Sequence, residues 1–581
     1  MEIHSVADVL LAEGLRAPTL HALSADVNNY KALLMQPQGE IEANSTGVRN
    51  KNRSLAKAQF GQFLSKAQDT AADIAVTPEY SMPWEVLAGA IKAGHAPAEG
   101  KLWVFGCEST RYSDLEALKE ELAPSATLLF ENLRTDPARF IDPLAYVFTT
   151  TPTQGGGART VLLVQFKTHP MGDKDHIEVN GMERGTRIYR FGGGAQGLKL
   201  VSLICSDVFG FQDEHAKAIY DRGLVVHIQL NPKPRQSQFR QYRDRLLQYK
   251  GDETELICLN WAGDVCEWSG ETKKSWKNIG GSAWYLRPKD FDDEDATLKT
   301  NHGRGLYYTW HEPLRSHALF FNYKPATYLL VATKVAHIGV VASVSKRRGP
   351  QLARAYVWND EAGDWVDRAA ADDGFPAVAS EAGNAKEEIV CIYESSPMDA
   401  ERVLALCSGK IEHDGDWYSV HVLDSFVIDS SEVIRRMTFC QDTDTEASEF
   451  RVSRLRRCGR LWDILNTHKH LPPALHDFKD GFEFSWISGS PHQNAISKNG
   501  KRATVVYMGE DSSKARIDEI DTTLAEFLHR SFSNSKESHS ARQRLAVWFR
   551  EGNEITQVDP QRYTKFDQAG DESGFDIGRQ N

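Results

Sequence analysis

From about Pro18 to Val344 short apolar runs alternate with polar or helix-patterned stretches. The runs read ADIAVTPEY, KLWVFGCES, LAYVFTTT, RTVLLVQFK, LKLVSLIC, LVVHIQLN, ELICLNWAG and YLLVATKVA. Brief runs rich in β-branched and aromatic residues predict buried strands. Helices are predicted between them over Lys51 to Thr70, Ser113 to Leu122 and Gln238 to Gln248. The glycines of FGGGAQG predict a hairpin turn, since the Lys-Ser/Thr pair of a phosphate loop does not follow them. The alternation is that of an α/β layered fold.

After SVSKRRGPQLA the alternation weakens. NDEAGD and ADDGFPAVASEAGN read as turns, and strands are expected to resume at EEIVCIY. A first domain is therefore expected over 1–345, a linker over 346–385 and a second, α+β domain over 386–560. In that second domain WYSVHVLDSFVI, GFEFSWI and KRATVVYMG look strand-like, and Ile517, Ile520, Leu524, Phe527 and Leu528 share one face of a helix. Residues 561–581 are polar and glycine-containing, the composition of a frayed tail.

Composition narrows the classes. With 41% hydrophobic and 25% charged residues in a chain of 581, a large buried core is affordable. The formal net charge of −12 argues against whole-protein attraction to nucleic acid or anionic membranes. The N-terminus lacks a signal-peptide pattern and no segment reads as a membrane span, so a cytoplasmic protein is expected. Eight cysteines, scattered without CxxC pairs, predict neither a zinc site nor a disulfide framework.

Three apolar runs end on reactive side chains: DIAVTPE on Glu79, VLLVQFK on Lys167 and LVSLIC on Cys205. Strand ends are where α/β folds place their sites. The three types complement one another, because a thiol needs a base and a carbonyl under attack needs a cation near its oxygen. Each alone has an ordinary explanation: a helix cap, a solvated lysine, a packed thiol.

In this order and setting the residues resemble the nitrilase, or carbon–nitrogen hydrolase, superfamily. There the glutamate sits in a Pro-Glu pair, similar to TPEY, the lysine precedes a histidine, as in FKTHP, and the cysteine closes a strand, as in LICSDVF. VFGCES, LAYVF, LICLNWAG and GGSAWY are similar to the supporting strands, so the likeness spans more than half of the chain. It implies an αββα sandwich and dimers or larger homo-oligomers formed through a helix face beside the cysteine. It also implies a second glutamate between lysine and cysteine. Glu178 and Glu183 are the candidates, with Glu178 favoured by its distance ahead of Gly185. Tyr80, Ser206, Asp207 and Asn231, beside the same strand ends, are expected at the substrate. Ser206-Asp207 departs from the Trp-Glu of nitrile hydrolysers and is closer to the amidase and carbamoylase branches. His169 and His176 are expected to be loop hydrogen-bonding residues rather than bases, and Cys107, Cys258 and Cys266 packing residues.

The implied activity is hydrolysis of a non-peptide amide or carbamoyl bond of a small molecule through a Cys205 thioester, with no metal or organic cofactor. A different class of reading is a regulatory or effector module, for example in a bacterial defence system, whose C-terminal domain meets a protein partner. Two basic stretches stand apart from both. Arg235, Arg240, Arg243 and Arg245 form a cationic cluster near the expected site mouth, and Arg451, Arg454, Arg456, Arg457 and Arg460 recur at helical spacing. Either suits an anionic partner or a charged surface helix.

Overall fold

The computed structural model describes residues 1–559 apart from 26–28, 134–135, 173–175, 195–196, 220–221, 233, 235–236, 248–253, 264, 277–280, 288–305, 312–315, 334–348, 369–373, 412, 414, 419–435, 439, 441–444, 468–470 and 511. The expected tail, the strand read at WYSVHVLDSFVI beyond residue 418, and Arg235 lie outside the described residues. The chain divides into two compact units, one over Met1–Asp372 and Asp429–Glu432 and the other over Asp373–Ile428 and Val433–Asn581.

The first unit is built on two large sheets. One holds nine strands, in the order Asp364–Asp367, Gln351–Asn359, Ala326–Thr333, Asn29–Gln36, Ile74–Met82, Leu102–Cys107, Pro143–Thr150, Arg159–Phe166, Ala126–Phe130. The other holds eight, in the order Glu2–Ser5, Arg187–Gly192, Lys199–Ile204, Gly223–Ile228, Thr254–Leu259, Ala283–Arg287, Ser316–Phe321, Leu306–His311. Strands Ile74–Met82 and Asn29–Gln36 touch Gly223–Ile228 and Thr254–Leu259 of the opposite sheet. Between the sheets the Tyr30 hydroxyl donates to Glu255 at 2.8 Å, and Gln165 Nε2 donates to the Ser202 carbonyl at 3.0 Å. Central strands are buried on both faces, which explains why they read as continuous apolar runs rather than alternating ones.

Helix Arg53–Asp69 covers the nine-stranded sheet. The Asn52 side chain caps it by accepting from the Leu55 amide, and Phe60, Phe63 and Leu64 pack with Trp103, Phe105 and Leu162. Burying one such side chain contributes about 1.5–3 kcal/mol. Helix Ser237–Leu247 lies on the other sheet, touching Thr254–Leu259, with Phe239, Tyr242 and Leu246 buried at helical spacing. The strands flanking FGGGAQG pair antiparallel, Arg190 opposite Val201.

The stretch 346–385, expected as a linker, is divided between the two units. Gln351–Asn359 and Asp364–Asp367 extend the nine-stranded sheet, where Trp365 is buried against helix Arg53–Asp69 and its indole donates to the Gln59 carbonyl. The turn residues of NDEAGD join two strands rather than two domains. Phe375, Ala379, Ala382 and Ala385 belong to the core of the second unit.

The EEIVCIY segment, expected as a strand, is helix Lys386–Ser395. Ile389 and Tyr393, four residues apart, are its buried positions, and Glu387 and Glu388 favour the positive end of the helix. In the same unit Phe482–Phe484, Ala495–Ser497, Arg502–Tyr507, Leu545–Glu551 and Glu554–Gln557 form one five-stranded sheet. Arg502–Tyr507 and Leu545–Glu551 run parallel, and helices Lys514–Ser531 and Ser535–Gln543 lie between them in sequence. Alternation sets the layers. Ala503, Val505 and Tyr507 share a core with helix Thr445–Thr467, whereas Val506 and Met508 pack with Ile517, Ile520 and Leu524 of Lys514–Ser531.

Candidate functional site

Strand Ile74–Met82 pairs with Leu102–Cys107 in register to Thr77, opposite Phe105, and next at Met82, opposite Cys107. Pro78 to Ser81 therefore bulge out of the ladder, where Pro78 has no amide to offer. Gly106 makes room, because a Cβ there would stand 2.2 Å from the Pro78 carbonyl oxygen. The bulge swings Glu79 and Tyr80 into the interior, and Tyr80 takes a left-handed φ of 57°.

Lys167 follows strand Arg159–Phe166. Its amide donates to the Asp142 carbonyl at 2.9 Å, and its carbonyl accepts from Gly185. The ammonium is 0% exposed and binds Glu79 Oε1 at 2.6 Å and Glu178 Oε1 at 2.7 Å, with Asp142 Oδ2 at 3.4 Å. Glu178 also accepts from the Tyr80 hydroxyl at 2.9 Å and from the Met171 amide at 2.6 Å. The second oxygen of Glu79 accepts from the Leu230 amide at 2.5 Å, and Trp261 Nε1 donates to the Glu79 carbonyl at 2.8 Å. Both donors belong to segments that continue strands of the eight-stranded sheet.

Cys205 ends strand Lys199–Ile204 and begins the turn Cys205–Gly210 with φ at 40°, a strained value for a residue with a Cβ. Its carbonyl lies 3.0 Å from His227 Nε2, and its side chain is 1% exposed. Burial foremost, then the Glu79 charge, raises the thiol pKa well above its ordinary value, while Lys167 opposes the rise. At neutral pH Cys205 is accordingly a thiol, and a base must take its proton during attack. Glu79 is also raised, by burial first, with Lys167 pulling down and Glu178 pushing up. Burial lowers Lys167, but Glu178 and then Glu79 outweigh it and keep the ammonium charged.

Three buried carboxyl groups, Glu79, Asp142 and Glu178, converge within 4.8 Å of one another. Such a trio is a candidate cation site, and here the Lys167 ammonium occupies its centre. Asp142 was not evident from the sequence. It precedes strand Pro143–Thr150, whose antiparallel pairing sets Pro143 opposite Phe166 and so puts Asp142 beside Lys167. Burial, then the Glu79 charge, raises its pKa well above the ordinary value.

The structure brings Glu79, Lys167 and Glu178 into direct contact, with the Cys205 thiol inside their field. Glu178, not Glu183, meets the lysine. The Glu183 backbone amide goes instead to the Phe140 carbonyl. Tyr80 belongs to the cluster through Glu178. Asp207 accepts from the amides of Thr168, His169 and Ile204 at 2.7, 3.1 and 3.1 Å, and Ser206 Oγ donates to the His169 carbonyl at 2.6 Å. Both thus clamp the loop after Lys167 onto the Cys205 turn. Asn231 is buried against Asn260 and Gln229.

His169 is half-buried with Nδ1 2.8 Å from Thr168 Oγ1, and burial lowers its pKa. His176 adopts a left-handed φ at the start of helix Ile177–Gly181. Cys107 and Cys258 are buried, whereas Cys266 is half-buried on a small four-stranded sheet with Glu40–Asn44, Gly47–Asn50 and Thr272–Ser275. The expected Arg240–Arg245 cluster does not share one face. Arg243 is buried over the Tyr285 ring, and Arg245 binds the Phe211 carbonyl and Asp213. Among the described residues no helix is long and apolar enough to cross a membrane.

No family model and no curated protein matches the sequence. Among solved structures the chain is similar to an amidase from Nesterenkonia sp., at 15% identity over 44% of this chain and 82% of that one, with a TM-score of 0.26. A variant described as a Nesterenkonia AN1 amidase from the nitrilase superfamily matches with the same figures. Another, carrying acrylamide added at its active-site cysteine, matches at 15% identity over 41% of this chain and 80% of that one, with a TM-score of 0.24. Likeness of this extent does not reach an activity.

Proposed function

We propose that the first unit is a carbon–nitrogen hydrolase that cleaves a non-peptide amide or carbamoyl bond of a small molecule through a thioester at Cys205. The observation that carries the reading is the buried contact of Glu79, Lys167 and Glu178 in the field of the Cys205 thiol. Placing an acid, an ammonium and a thiol together in a dry interior costs stability, and such groups cluster where chemistry uses them. The two facing sheets with helices Arg53–Asp69 and Ser237–Leu247 over them support an αββα sandwich.

In the proposed cycle Glu79 takes the Cys205 proton as sulfur attacks the carbonyl carbon. Lys167 bonds Glu79 and Glu178 and lies 3.4 Å from Asp142, and its positive charge stabilises the developing oxyanion. Glu79 returns its proton to the nitrogen as the carbon–nitrogen bond breaks, leaving a thioester. Water then attacks, giving its proton to Glu79, and the acid departs while sulfur recovers the proton. Glu178 positions Lys167, Ser206 and Asp207 hold the loop and the turn in register, and Tyr80 and Asn231 border the substrate.

The test is intact-mass spectrometry of the whole chain after incubation with a panel of amides, carbamoyl compounds and nitriles. Acyl addition to Glu79→Gln protein that is missing from Cys205→Ala supports the thioester route. No adduct and no turnover across the panel would shift the reading to a ligand-binding regulatory module.

A further inference from the structure

The second unit holds a feature that the hydrolase reading leaves unused. Strand Arg502–Tyr507 leads through Met508 and Gly509 to helix Lys514–Ser531, and its neighbour Leu545–Glu551 runs parallel to it. The region beyond the carboxyl end of such a strand, before the next helix, is where α/β sheets take ligands. A cavity of about 450 Å³ lies here, a size suited to a small molecule.

Its polar lining is one-sided. Lys410, Arg454, Arg457 and Arg516 surround it with Ser512 and Ser513, and no acidic side chain lines it among the described residues. The cations come from separate elements, so helical spacing alone does not explain their convergence. Arg454 and Arg457 lie on helix Thr445–Thr467 and both donate to the Ser408 carbonyl, at 3.1 and 3.4 Å. Lys410 follows helix Pro397–Cys407, and Arg516 is anchored to Glu519 at 2.6 Å and to the Ile411 carbonyl. Ser513 caps helix Lys514–Ser531 by accepting from the Arg516 amide, which turns the positive end of an 18-residue helix toward the same space.

The backbone is shaped to bring the cations close. Gly509 has φ 79°, and a Cβ there would lie 2.7 Å from Arg457 Nε; Gly409 has φ 69°, and a Cβ there would lie 2.1 Å from Met508 Sδ. Arg457 also lines a second cavity of about 510 Å³, together with Tyr507, Arg456, Arg460, Glu449 and Glu510, which gives the rest of a ligand anchored at Arg457 a polar space to occupy.

We propose that this cavity binds a phosphate-bearing small molecule of nucleotide size, its phosphates held by Lys410, Arg454, Arg457, Arg516 and the amino end of helix Lys514–Ser531. Guanidinium groups match phosphate oxygens in pairs, and each such contact is stronger than a neutral hydrogen bond. The four cations converge on one cavity of about 450 Å³ rather than following a strip of surface, and this favours a free nucleotide over the backbone of a nucleic acid, which shares the phosphate chemistry. The proposal is independent of the reaction at Cys205.

The test is calorimetric titration of the full chain with inorganic pyrophosphate, ADP and a single-stranded RNA oligonucleotide. Saturable binding of pyrophosphate and ADP at one site per chain is expected, weakening as salt rises. Lys410→Glu and Arg457→Gln should each weaken it about tenfold or more. Thermal melting of each variant checks that it folds; Lys410→Glu, at a half-buried position outside regular structure, keeps the test open if Arg457→Gln does not. Absence of saturable binding at low salt, binding unchanged in folded variants, or binding of the RNA alone would each overturn the proposal.

Discussion

Replacing Lys167 with methionine keeps most of the side chain's length and removes its charge. Its ammonium meets two carboxylates at 2.6 and 2.7 Å. With an effective dielectric of about 20, each contact is worth about 6 kcal/mol of gross Coulomb energy, far more than the variant will lose. The variant escapes by binding a proton. Protonating one carboxyl of ordinary pKa costs about 4 kcal/mol at pH 7, after which the two glutamates can share that proton. Lys167→Met should therefore be less stable than wild type by about 4 kcal/mol at pH 7, within the range for breaking a buried ion pair. The folded variant keeps a proton that the unfolded chain releases, so its stability falls as pH rises. Taking the difference from wild type at each pH, the deficit should shrink by about 1.4 kcal/mol per unit between pH 7 and 5. Urea unfolding followed by tryptophan fluorescence at both pH values measures it. A deficit under about 1 kcal/mol at pH 7, or one equal at both, would refute the picture of Lys167 as the charge that holds the acids together.

The neighbouring groups give further outcomes. Asp142→Asn should be more stable than wild type at pH 7, by about 1–4 kcal/mol, because burial and the Glu79 charge raise the folded carboxyl's pKa above its unfolded value, a penalty present above the unfolded pKa; melting curves should show the gain vanish as pH falls toward 4. His227, buried with Nδ1 2.5 Å from the Tyr242 hydroxyl, has its pKa pushed down to about 3 by burial. It stays neutral in the fold while the unfolded chain protonates near pH 6.5. It thus costs stability as pH drops below that value, and His227→Gln should flatten the acid limb of the stability profile in urea titrations between pH 7 and 5. Gly106→Ala should cost about 1–3 kcal/mol in urea unfolding and lower turnover, since its Cβ would strike the Pro78 carbonyl that sets the Glu79 bulge; wild-type turnover in this variant would count against the bulge as the determinant.

What was legible in the sequence depended on how each residue lies relative to its strand. Glu79, Lys167 and Cys205 follow apolar runs, so a rule that looks at strand ends finds them. Asp142 opens its strand, and only the antiparallel pairing with Arg159–Phe166 carries it to the same edge, a relation that residue order does not display. Ser206 and Asp207 were seen as neighbours of Cys205, but their roles lie in backbone amides contributed by the loop after Lys167. EEIVCIY misled because its β-branched residues favour a strand, whereas burial of Ile389 and Tyr393, four residues apart, selects the helix. The 346–385 segment misled because two of its turn-rich stretches flank edge strands.

The two oxygens of Glu79 answer to different sheets: one to Lys167 beside it, the other to the Leu230 amide across the interface. Cys205 likewise comes from the sheet opposite the one whose strands supply Glu79, Asp142 and Lys167. Neither sheet alone contains a base, a cation and a thiol. In a refolding experiment helical signal and collapse can return while the reactive trio is still two unjoined halves. On the proposed reading, recovery of hydrolysis is then a clock for the docking step, later than any spectroscopic measure of local structure. Because Ala326–Thr333, Gln351–Asn359 and Asp364–Asp367 return the chain to the nine-stranded sheet after the eight-stranded one is built, no single cut of the chain frees one sheet from the other.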